Sequence, residues 1–169
     1  MYIAGQKEMQ MMDQYTMEQL GLPGIVLMEN AGTAVVNEVM KDFPNKTTNI
    51  IVLAGGGNNG GDGFVIARRL IDFGYEVMLL LAVDEESLKG DAKLHYEAYK
   101  KRQLPMVTAE DYDMKKAQVI IDALLGTGVQ GAVREPFYSL INTVNESSAF
   151  VYAVDVPSGV NANTGEVAN

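Results

Sequence analysis

Three glycine-rich segments carry the residues of this chain that could do chemistry. The first is GGGNNGGDG, Gly55 to Gly63, in which six of nine residues are glycine. Such a run lets the backbone turn sharply and approach a ligand with no Cβ in the way. A helical pattern follows it, so free N–H groups and the helix dipole would favour an anion there. Gly55, Gly57 and Gly60 also satisfy GxGxxG, and Asp84 stands about where a ribose-binding acid sits in a dinucleotide fold. Asn58, Asn59 and Asp62 do not suit ordinary pyrophosphate binding. An acid inside the loop repels phosphate unless a cation or a different pose compensates. The alternative is a strand-to-helix turn with no ligand, and so many glycines make that costly in chain entropy.

The second segment, DALLGTGVQGA, runs from Asp122 to Ala132, with Gly126, Gly128 and Gly131 exposing further backbone amides. Beside the first loop it would suit a ligand with several phosphates. Asp122 can equally be a strand-end residue that ties down its own loop. The third segment is DVPSG, Asp155 to Gly159, where Pro157 fixes the turn and Ser158 presents a hydroxyl. Asp155, at the end of a strand expected to be buried, is a candidate acid/base. His95, the only histidine, lies in a charged helical stretch and is expected to be a solvated surface residue.

These segments need a frame to bring them together. Two helices are expected first. Glu8 to Leu20 has Met9, Met12 and Leu20 near helical spacing, and Ile25 to Met40 has Met28, Ala31, Val35 and Val39 on one face. Methionine stripes of this kind usually pack into a core. Strands and helices then alternate. Strands are expected at Asn49 to Ala54, Glu76 to Val83, Met106 to Val107, Gln118 to Leu124 and Ala149 to Val156. Helices are expected at Gly61 to Phe73, from a Ser87 cap to Arg102, and at Phe137 to Asn145. This alternation predicts a Rossmann-like, doubly wound α/β fold, a mainly parallel sheet between two helix layers. With strand order 3-2-1-4-5, the loops after strands one, four and five open onto one crevice at the switch point.

The chain has 169 residues and a net charge of −9, enough for one domain with a hydrophobic core. An acidic chain is poorly suited to neutralising nucleic-acid phosphates, though backbone amides can still bind a small anion. No apolar run is long enough to span a bilayer, and residues Met1 to Asp13 lack a signal-peptide pattern. There are no cysteines. A cytoplasmic protein with no nucleic-acid or membrane partner is therefore expected.

With LMENAG at Leu27 to Gly32, GGGNNGGDGFVIARRL at Gly55 to Leu70, DALLGTGVQG at Asp122 to Gly131, and DVPSGVNANTG at Asp155 to Gly165, the chain resembles the YjeF N-terminal family, the NAD(P)H-hydrate epimerases. The resemblance runs from Met9 to the end. It implies interconversion of the R and S forms of NADHX and NADPHX, reduced nicotinamides hydroxylated at C6. It also implies substrate contacts at Asn58, Asn59, Gly60, Gly61, Asp62, Gly126, Thr127, Gly128, Val129, Gln130, Gly131, Ala132 and Asp155. A potassium ion held by Asn59, Asp122 and Ser158 is implied too, and it would offset the acid in the first loop. The family domain normally continues past NTGEV, so residues 1–169 are expected to be one such domain cut short at its C-terminus. In some family members a dehydratase domain follows, so a dehydratase, fused or separate, is an expected partner, and a homodimer is also expected. Two rivals remain: a non-catalytic nucleotide-binding or scaffold module of the same fold, and a conventional NAD-dependent oxidoreductase. Asn58, Asn59 and Asp62 count against the latter.

Overall fold

The computed structural model describes residues 4–108, 113–128 and 131–168. Its elements, in chain order, are α1 (Gln6–Glu18), α2 (Gly24–Asp42), β1 (Asn49–Ala54), α3 (Asn58–Asp72), β2 (Glu76–Leu81), α4 (Gly90–Lys101), β3 (Met106–Thr108), β4 (Val119–Ala123), α5 (Phe137–Glu146) and β5 (Phe150–Ala153). All five strands run parallel in the order β3-β2-β1-β4-β5, as the alternating pattern predicts. No helix among the described residues is long and apolar enough to cross a membrane.

The central strands are apolar without alternation because both of their faces are covered. Ile50, Val52, Val77, Leu79, Val119 and Ile121 point to one side and pack with Val36, Val39, Phe64, Leu70, Tyr96 and Tyr99 of α2, α3 and α4. Ile51, Leu53, Leu80 and Ile120 point the other way, against Leu140 and Val144 of α5 and a short turn at Met114. The result is a three-layer αβα sandwich. β1 and β4 lie side by side at its centre, with Leu53 opposite Asp122.

Several expectations from sequence are corrected. No residue of α1 is buried: Met9 is 47% and Met12 58% exposed, and Leu20 beyond the helix is 61% exposed. The methionine stripe there is not core. On α2 the buried face is Met28, Gly32, Val36 and Val39, while Ala31 is exposed, because the helix packs through Gly32 against Val65. α3 begins at Asn58, inside the glycine segment. Ser87 does not cap α4; its hydroxyl donates to the Asp84 carbonyl in a separate turn, and Asp84 itself is exposed. His95 is buried, because Ala92, His95, Tyr96 and Tyr99 form the inward stripe of α4. Its Nε2 lies 3.3 Å from the Ile25 carbonyl oxygen and its Nδ1 3.8 Å from Glu29. β5 is shorter than expected and, among the described residues, pairs only with β4, and Phe150 and Val151 are exposed.

Two glycines of the first segment are fixed by packing within the protein. A Cβ on Gly55 would stand 2.0 Å from the Leu124 carbonyl oxygen, and one on Gly60 would stand 1.9 Å from the Gly55 carbonyl oxygen. Neither neighbour is a flexible side chain, so relief requires moving backbone. A Cβ on Gly57 meets nothing within 4 Å, and Gly57 has an ordinary φ of −92°. Gly60→Ala is therefore expected to cost about 3 kcal/mol or more in urea unfolding. Gly57→Ala should stay within about 0.5 kcal/mol of the parent protein.

Candidate functional site

Asp122 is the last charged residue of β4 and is buried. One carboxylate oxygen accepts the Ser158 hydroxyl at 2.6 Å and the Leu124 N–H at 3.2 Å. The other accepts the Ser158 N–H at 2.9 Å. The Ser158 oxygen in turn accepts the Leu125 N–H at 2.9 Å and lies 3.1 Å from the Leu125 carbonyl oxygen. Asn59, in the first turn of α3, donates its side-chain N–H to that same carbonyl at 3.0 Å. The three residues drawn together from sequence as cation ligands thus meet around the Leu125 peptide. Asp122 also ties down its own loop, so the structural role considered for it is real.

The Asn59 side-chain oxygen is buried and has no hydrogen-bond partner among the described residues. A buried amide oxygen left unmatched is costly, and native proteins seldom tolerate one. Asn59, Asp122, Ser158 and the Leu125 carbonyl could offer a cation oxygen donors, one of them a carboxylate. Such a set suits a hard cation of low charge. Among the described residues no group of three or more His, Cys, Asp or Glu could hold a metal ion.

Beside this hub lies a crevice of about 1050 Å³, at the upper end of the usual range for small-molecule sites. Gly56, Gly57, Asn58, Asn59 and Asp62 line it from the first segment. Gly126, Thr127, Gly128, Gly131 and Ala132 do so from the second, and Asp155 from the third. Gly60 and Gly61 stand behind this wall, packed against Gly55 and Met28. Val129 and Gln130 fall outside the described residues. Asp155 is exposed to the open crevice rather than buried, because β5 ends at Ala153 and Asp155 lies beyond it on the crevice wall. Its carboxylate accepts the Thr127 N–H at 3.1 Å, which joins the second and third segments at the crevice wall.

Residues that the motifs do not mark also line the crevice: Gln6, Met9, Gln10 and Asp13 of α1, and Arg134 and Phe137 beyond the second loop. The acids gather with electrostatic consequence. Burial, then the negative charges of Asp155 and Asp13, push the Asp62 carboxyl up from its ordinary 3.8 to about 7.

The sequence matches the family described as YjeF-related protein N-terminus over residues 24–169. It is 39% identical to the NAD(P)H-hydrate epimerase of Limosilactobacillus reuteri, over 95% of this chain and 76% of that protein. It is 37% identical to the bifunctional NAD(P)H-hydrate repair enzyme Nnr of Moorella thermoacetica, over 98% of this chain but only 33% of that protein. In structure it resembles the crystal structure of the yeast protein YNL200c. The TM-score is 0.88 and the identity 28%, covering 99% of this chain and 75% of that one. The chain therefore spans about a third of the bifunctional relative and about three quarters of the other two.

The acidic end of the crevice gives its own test. The Asp62 carboxyl has a higher pKa folded than unfolded, so between about pH 4 and pH 7 the folded chain binds the extra proton. Its contribution to stability is accordingly most favourable below pH 4, declines as pH rises and levels off above about pH 7. Urea unfolding of the parent and Asp62→Asn proteins in potassium-free buffer should show this. The variant's stability relative to the parent is expected to rise between pH 4 and pH 7, and a constant difference would contradict it.

Proposed function

This chain belongs to the YjeF-related protein N-terminus family, and we propose that it is an isomerase, an NAD(P)H-hydrate epimerase acting in repair of nicotinamide cofactors. The observation that carries this reading is the convergence of the family's three glycine-rich segments on one crevice of dinucleotide size. The relatives named for NAD(P)H-hydrate epimerisation and repair support it. The substrate is NADHX or NADPHX, held by the crevice residues of the three segments.

At C6 of the hydrate the hydroxyl sits beside the ring nitrogen, so the carbon is a hemiaminal. A carboxyl group protonates that hydroxyl, the C6–O bond breaks, and water leaves as the nitrogen lone pair forms an iminium. Water then adds to the other face of C6 and returns a proton to the carboxylate. No net atom or electron is gained or lost. Ring opening and reclosure is the alternative route to the same product. Asp155 is assigned as the proton carrier, with its position set by the Thr127 N–H. Asp62, which feels the charge of Asp155, can share that proton.

A potassium ion would be held by Asn59, Asp122 and Ser158, to which the Leu125 carbonyl adds a fourth oxygen. When bound it would supply positive charge that offsets the local acids. Arg134 on the crevice wall gives the substrate's phosphates a cationic neighbour. A cytoplasmic setting, a homodimer, and a dehydratase partner that consumes one epimer belong to the same proposal.

The test is incubation of one pure NADPHX epimer with the protein, following the other by chromatography. Equilibration well above the buffer rate is expected, and no acceleration by a folded sample would favour a scaffold role. Asp155→Asn should then lower turnover by roughly 10²–10⁴-fold with a much smaller change in affinity. A joint loss of binding and melting temperature would instead leave Asp155 only a role in ordering the turn.

A further inference from the structure

Helix α1 lies outside residues 24–169 that match the family, yet it forms one wall of the crevice. Its lining residues are Gln6, Met9, Gln10 and Asp13, spaced i, i+3, i+4 and i+7, so they form one stripe along a single helix face. The stripe is about 10 Å long at 1.5 Å per residue. Nothing in the core accounts for this helix, since none of its residues is buried. A helix of 13 residues is marginal in water without packing to hold it. Its start is held by the Gln6 N–H donating to Asn163 at 3.3 Å, and by the Gly5 N–H donating to Glu8 at 2.8 Å. It is followed by a turn at Gly21, with φ of 71°.

We propose that α1 is a substrate-binding element, whose Gln6, Met9, Gln10 and Asp13 face packs along the hydrated dinucleotide in the crevice. This rests on the function proposed above. The chemistry of the stripe fixes how the ligand lies. Asp13 is close enough to raise the proton affinity of Asp62, so this end of α1 faces the acidic end of the crevice. With Asp13, Asp62 and Asp155 on its wall, this end of the crevice suits the ligand's hydroxyl and amide groups better than its phosphates. The phosphates then lie toward Arg134. Gln6 and Gln10 can donate and accept, which suits ribose hydroxyls and the carboxamide. Met9 offers a polarizable thioether to a flat ring face.

Because Met9 and Gln10 are exposed, their truncation separates binding from folding. Met9→Ala and Gln10→Ala are expected to raise KM for the NADPHX epimer by roughly 2- to 10-fold each, with kcat changed little. Melting temperature should stay within about 2 °C. Met11 and Tyr15, 69% and 59% exposed on the opposite face, supply controls. Met11→Ala and Tyr15→Ala should leave KM unchanged. Hydrogen exchange of the full chain with and without NADP⁺ should show slower exchange across residues 6–18 on binding, and this arm decides the question even where turnover is absent. Unchanged exchange in α1 at saturating NADP⁺ would overturn the proposal, as would equal KM effects from both helix faces. An active wild type whose Met9 and Gln10 variants match it in KM would overturn the role of α1 while leaving the epimerase reading intact.

Discussion

A single buried carboxylate holds the site loops of this protein in register. Asp122 stands at the end of β4, where the parallel ladder stops and backbone groups lose their sheet partners. Its two oxygens take up the Leu124 N–H, the Ser158 N–H and the Ser158 hydroxyl. Hydrogen bonds to a charged acceptor contribute more than neutral ones, about 1.5–3 kcal/mol each. Through Ser158 and Leu125 the same network reaches Asn59 in the first turn of α3. Three segments distant in sequence are thereby fixed to one another within hydrogen-bond distances, at the point where β1 and β4 lie side by side.

The fold makes this point available and the glycines make it compact. In an open parallel sheet the helices diverge to opposite faces beyond the central strands, and the gap they leave is the natural ligand crevice. Here the gap narrows until the first loop touches the second, with Gly55 against the Leu124 carbonyl. The contact leaves no room for a side chain at Gly55, and the polar groups of Asn59, Asp122 and Ser158 meet around the Leu125 peptide. One amide oxygen remains unmatched there, and on the open side of the hub Asp13, Asp62 and Asp155 share the crevice with Arg134. An anionic ligand can enter such a site only in an orientation that keeps its phosphates away from the acids.

Much of this was legible before any coordinates. Apolar runs such as NIIVLA and QVIIDAL, each followed by glycines, are characteristic of strands covered on both faces, and the order common to doubly wound sheets is the one observed. The meeting of the three loops followed from that order. Asn59, Asp122 and Ser158 were drawn together by family resemblance; spacing alone gave no reason to join residues so far apart in sequence. The misreadings have physical causes. The methionines of α1 suit a core as well as they suit a ligand-facing wall, and periodicity cannot tell the two apart. His95 was hidden by the charges around it, although Ala92, Tyr96 and Tyr99 share its helix face. Asp155 reads as buried because AFVYAVDV resembles one continuous central strand, whereas the strand stops at Ala153 and Asp155 falls on the crevice wall beyond it. Arg134 carries no motif, and only the folded chain places it on the crevice wall.

The Asn59–Leu125–Ser158–Asp122 hub joins the loops, and under the proposed function the same oxygens would hold a monovalent cation. Anomalous diffraction from crystals grown in rubidium in place of potassium tests it most directly. The account predicts one strong peak in contact with the Asn59 side-chain oxygen, the Asp122 carboxylate and the Leu125 carbonyl, and its loss in crystals of Asp122→Ala. A well-ordered hub with no peak, and with the Asn59 oxygen satisfied by water or by a flipped amide, would contradict it.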